Sequence, residues 1–79
     1  MNIKIIGSGC ANCEKLESLT KQAAAELNVQ ATFEKVKDIE KILDYGIART
    51  PGLVINEVVK SSGRIPSVDQ IKTYIQESL

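Results

Sequence analysis

The sequence predicts an α/β domain in which three helices flank a mixed four-stranded sheet, in the order β-α-β-α-β-β-α. Three observations carry this. Short β-branched runs alternate with segments of helical periodicity, and the last two runs are separated only by Asn56-Glu57, as in a hairpin. At 79 residues the chain makes one domain, spanning 1–79. A domain of this size buries only about 60% of its unfolded surface, so its core must be compact.

Asn2 to Ile6 is apolar on both faces apart from Lys4, as expected for a central strand covered on both sides. Gly7-Ser8-Gly9 ends it. From Cys13 onward, Leu16, Leu19, Ala23 and Leu27 recur at helical spacing, with Glu14, Lys15, Glu17, Lys21 and Glu26 mostly between them. This predicts one amphipathic helix ending near Asn28. Ala31, Phe33 and Val36 form a second strand, which Glu34, Lys35 and Lys37 make polar enough for a sheet edge. Asp38 can cap a short helix carrying Ile39, Ile42 and Leu43, and Gly46 suits its left-handed stop.

After Thr50-Pro51-Gly52 come the runs Leu53-Val54-Ile55 and Val58-Val59-Lys60. Asn56 tolerates positive φ but Glu57 does so poorly, so a longer loop or a bulge competes with a tight turn between them. Ser67 and Gln70 have capping-box spacing ahead of the stripe Val68, Ile71, Tyr74 and Ile75, which predicts a terminal helix. The Leu and Ile stripes are read as core. A parallel β-α-β unit followed by an antiparallel hairpin gives the strand order 2-1-3-4, with the first strand central.

Ten basic and ten acidic residues give a formal net charge of zero, with no basic run for nucleic acid and no polybasic patch for anionic lipid. No apolar stretch approaches the roughly 20 residues of a membrane span, and no leader pattern precedes the first strand. A cytoplasmic location is expected.

The only two cysteines are Cys10 and Cys13, three residues apart just after the first strand. With a helix starting at Ala11, their Cα atoms would stand roughly 5 Å apart, a separation a disulfide can bridge. The first turn offers unpaired N–H groups and the positive end of the helix dipole to Cys10, which favours thiolate. A thiol of ordinary pKa is only about 3% ionised at pH 7, so this matters. Cys13 would point toward the body of the fold, where desolvation keeps it protonated. A three-residue loop constrains the unfolded chain little, so a structural staple is a poor reading and redox chemistry or metal capture a better one.

Through these residues the chain resembles the thioredoxin superfamily, in particular its small, glutaredoxin-sized archaeal and bacterial redox-active disulfide proteins. The resemblance spans nearly the whole chain. It rests on the first strand with Gly7-Ser8-Gly9-Cys10-Ala11-Asn12-Cys13, on Thr50-Pro51-Gly52 before the hairpin, and on Gly63 before the last helix. It implies a thioredoxin-like fold with a cis Thr50-Pro51 bond, a thioredoxin- or glutaredoxin-like disulfide oxidoreductase, Cys10 and Cys13 as catalytic residues, and Thr50, Pro51, Gly9 and Arg49 as substrate-binding. Without it, Pro51 reads as the start of an edge strand.

Three positions depart from the family pattern. Gly9 replaces an aromatic residue, Ala11-Asn12 replaces proline-containing dipeptides, and Lys4 stands where a buried acid is usual. Lys4 is expected to reach solvent with its head while its stem packs. Arg49 either steadies the thiolate or attracts an acidic partner segment, or is a solvated loop cation. Tyr45 either flanks the site or packs half-buried near a helix end.

The expected function is thiol-disulfide exchange: Cys10 attacks a partner disulfide and Cys13 resolves the mixed intermediate. No bound cofactor or resident metal is expected. The expected partners are a disulfide-containing protein or small thiol substrate and a separate reductase or thiol reductant, with no nucleic acid and no membrane, the chain acting as a monomer. The alternative is a soft-metal or metalloid carrier using the two thiolates. That family's usual β-α-β-β-α-β order, and the Met before its cysteines, are both missing here. A third possibility is an adaptor whose thiols are incidental or a regulatory switch.

Overall fold

Seven elements follow one another in the expected order: β1 (Asn2–Ile6), α1 (Ala11–Glu26), β2 (Thr32–Val36), α2 (Ile39–Asp44), β3 (Gly52–Ile55), β4 (Val58–Ser62) and α3 (Val68–Glu77). The computed structural model describes residues 1–7 and 11–79. The sheet order is β2-β1-β3-β4. β1 pairs parallel with β2 and antiparallel with β3, which in turn pairs antiparallel with β4.

The pleat divides the central strands between two cores. Ile3 and Ile5 of β1, with Leu53 and Ile55 of β3, face α1 and α3 and meet Leu16, Ala23, Ala24, Ile71 and Ile75. Ile6 and Val54 face the other way and meet Val36, Ile42 and Ile47, with Tyr45 at the margin. That second layer is thin, because α2 supplies only six residues.

The helix ends follow the expected capping chemistry. α1 gives way to Asn28 at φ 55°, and the N–H of Val29 donates to the Ala24 carbonyl at 2.9 Å. Asp38 Oδ1 accepts from the Glu40 N–H at 2.9 Å, and Gly46, at φ 73°, follows α2. Ser67 Oγ accepts from the Gln70 N–H at 3.2 Å at the start of α3.

Two expectations change. Asn56 and Glu57 both adopt left-handed backbone, with φ of 50° and 68°, and close a tight turn. A bulge is also present, as a register shift between Leu53 and Val54. Turn and bulge therefore coexist. The apolar stripe of α2 is not all core: Ile42 is buried, but Ile39 and Leu43 are 70% and 65% exposed. One helix of six residues laid on the sheet can press only one side of its stripe inward. Among the described residues no helix is long and apolar enough to cross a membrane.

Candidate active site

α1 begins at Ala11, which places Cys13 in its first turn. Cys13 is 5% exposed, and its Sγ lies against the backbone of Gly7, where a Cβ would overlap it. Gly7 leaves β1 at φ 157°, with its N–H donating to the Val36 carbonyl at 2.9 Å. Both the backbone angle and the sulfur's approach therefore call for glycine. Sequence reading treats Gly7 only as the end of a strand; a glycine between strand and cysteine pair is the one local signal of its second role.

The third wall comes from register. Ile6 pairs with Gly52 across β1 and β3, so the chain entering β3 passes opposite Gly7. Thr50 Cβ lies 3.6 Å from the point that a Gly7 Cβ would occupy. The Thr50-Pro51 bond is cis; Thr50 is exposed and Pro51 buried. The Pro51 carbonyl accepts from the Gly63 N–H at 2.9 Å. Arg49 lays its stem over Gly63, with its Cβ 2.9 Å from where a Gly63 Cβ would stand. Its position beside Thr50 is thus fixed by packing although the residue is exposed. Cys10 and Gly9, the remaining expected site residues, lie outside the described residues.

An apolar groove adjoins Thr50. Ile39, Ile42, Leu43, Ile47 and Ala48 line it, with Lys37 at one end, around a cavity of about 270 Å3.

Lys4 and Tyr45 are found together instead of serving the thiol. The Lys4 Nζ donates to Tyr45 Oη at 2.7 Å and to Glu57 Oε1 at 2.7 Å, and Tyr45 Oη donates to Glu57 Oε2 at 2.9 Å. Glu34 stands 3.8 Å from the same ammonium. The Lys4 side chain is only 16% exposed, so its head is held rather than left in open solvent. The hydrogen bond the ammonium donates to Glu57, then that to Tyr45, holds it protonated well above the usual lysine range. Lys4 in turn holds the Glu57 carboxyl below its usual range. These residues border the largest described cavity, about 370 Å3, but Lys4 points to the sheet face opposite Ile5 and Cys13. Among the described residues no three His, Cys, Asp or Glu side chains form a metal-binding group.

A cysteine in the first turn of α1, set at the end of the central strand against the Thr50-Pro51 segment, defines an α/β protein of thioredoxin-like class. The family model described as Thioredoxin domain matches residues 1–76. The chain is 43% identical over 72 residues to a thioredoxin of Methanothermobacter thermautotrophicus, covering 91% of this chain and 94% of that one. It is 35% identical over 77 residues to a thioredoxin of Methanocaldococcus jannaschii, covering 98% and 88%. The chain therefore belongs to the thioredoxin family, whose general activity is thiol-disulfide oxidoreduction.

Proposed function

We propose that the chain reduces disulfides of partner proteins through the Cys10/Cys13 dithiol. The observation that carries this reading is the seating of the Cys13 sulfur against Gly7 at the start of α1, with Thr50 beside the same glycine. Cys10, immediately before the helix, supplies the attacking thiolate. It displaces one thiolate of the partner and forms a mixed disulfide; Cys13 then attacks the Cys10 sulfur, closing the internal disulfide and releasing the second partner thiolate. Two electrons pass to the partner.

Thr50, which is exposed, meets an extended partner segment, with Pro51 and Gly9 as further substrate-binding residues. Arg49 supplies a positive charge beside it. The apolar groove from Thr50 to Leu43 suits the side chains flanking a partner's cysteine and favours a protein over a small thiol as substrate. A separate reductase or small thiol returns the electrons in a reducing compartment such as the cytoplasm, with the chain acting as a monomer.

The test is turnover of a protein disulfide with dithiothreitol as reductant. Cys10→Ser abolishes it, and Cys13→Ser accumulates the mixed disulfide. Full turnover by Cys10→Ser overturns the reading, as does a dithiol potential well above that of the glutathione pool.

A further inference from the structure

Cys13 also borders a second opening. A cavity of about 80 Å3 is lined by Ile5, Gly7, Cys13, Glu14, Lys35 and Lys37. That volume holds more than one water molecule, and its polar rim gives such water hydrogen-bonding partners. The sheet pleat explains the composition. Lys35 pairs in register with Ile5, so both face the α1 layer, and Lys37, just past the end of β2, reaches the same cavity. Lys35 reaches α1 itself, 3.5 Å from Glu17. Glu14 comes from the first turn of α1, next to Cys13.

A thiol only 5% exposed must lose its proton before it can attack, and burial opposes that ionisation. Neighbouring cations lower the barrier and neighbouring anions raise it. We propose that Lys35 and Lys37, opposed by Glu14, set the rate at which Cys13 gives up its proton through this cavity, and so the rate of the resolving step. The inference rests on the dithiol reading above.

The charges around Cys13 can be assigned element by element. Among the described residues, α1 contributes Glu14 and, through its ion pair with Lys35, Glu17; the β2 side contributes Lys35 and Lys37, and the segment before β3 contributes neutral Thr50, with Arg49 beside it. β1 contributes Ile5 and Gly7, both uncharged. Lys4, Tyr45 and Glu57 engage one another on the opposite sheet face. Glu17 offsets part of the charge of Lys35, 3.5 Å away.

In the resolving step the Cys13 proton passes to water in the cavity, the new thiolate bonds to the Cys10 sulfur, and the partner sulfur leaves with the electron pair and takes a proton from solvent. Lys35, Lys37 and Glu14 touch no reacting bond, although Lys37 also stands at the end of the apolar groove. They are positioning residues acting through Cys13.

The experiment reacts the reduced protein with 4,4′-dithiodipyridine, whose neutral thiopyridone product avoids charge artefacts, and follows release by stopped flow across pH. The first release reports attack by Cys10, the second resolution by Cys13. Lys37→Gln should slow the second release about two- to threefold near neutral pH and move its profile to higher pH. Glu14→Gln should do the opposite, Lys37→Arg should restore the wild-type midpoint, and high salt should narrow the differences. Second-phase profiles that coincide, or that move in one direction for both Gln variants, overturn the inference while leaving the dithiol reading intact. A wild-type protein with no second release overturns both.

Discussion

Helices of 16 and 10 residues cover one face of the sheet, whereas six residues of α2 cover the other. Under the first, Ile3, Leu16, Leu53, Ile55, Ile71 and Ile75 are fully enclosed. Under the second, Ile6 and Val54 are enclosed as well, but the layer above them ends in exposed Ile39 and Leu43 and in the Lys4, Tyr45 and Glu57 cluster. One face stores stability, and the other presents adaptable surface. Thr50, Gly7 and Cys13 sit together at the end of β1.

Cavity-forming substitutions test this division most severely. Ile75→Ala should cost about 3 to 4 kcal/mol in urea unfolding, because α3 cannot collapse into the space, and Ile42→Ala about 1 to 2 kcal/mol, because α2 can settle on the sheet. Equal losses would break the distinction between the faces.

Acid comes next, and both faces take part. On the first, Glu26 has its carboxyl held low by Lys72 and then by Gln22; on the second, Glu57 is held low by Lys4 and then by Tyr45. A folded pKa below the ordinary 4.5 gives stabilisation that is complete above that value and lost as pH falls through the folded one. Unfolding midpoints should therefore drop below about pH 4.5, and Glu26→Gln and Glu57→Gln should each flatten the drop. The raised pKa values of Lys72 and Lys4 act at the other extreme: their contribution is present below the ordinary 10.5 and lost as pH rises through the folded values. A variant pair with unchanged acid slopes would show that these pairs do not couple to folding.

The smallest stability effect is expected at Leu43→Ser, within about 0.5 kcal/mol of wild type, together with slower turnover of protein disulfides. A large loss of stability there would mean that the groove is core after all.

Local pattern made most of the framework legible. β1, the capped α3 and the strand order follow from periodicity, capping residues and the hairpin spacing. Contacts between distant positions were not legible. Lys4 is tied to residues 41 and 53 positions away, and nothing near it in the chain announces Tyr45 or Glu57. Lys35 and Lys37 signalled an edge strand, and only the three-dimensional register turns them toward Cys13. α2 failed differently: a stripe of one and a half turns marks an apolar side without fixing which edge of it the sheet will cover.

Asn56 carries one more consequence. Its N–H donates to the Asn2 carbonyl at 2.7 Å, its Oδ1 accepts from the Asn2 N–H at 2.9 Å, and its Nδ2 donates to the Ser78 carbonyl at 3.3 Å. A single turn residue thus clasps the beginning of β1 and the end of α3. Cys13 lies at the far end of β1, roughly 16 Å along the strand. The start of β1 and the end of α3 are therefore pinned together at the end of the sheet opposite Cys13, so mass added at either would sit on the side away from that thiol.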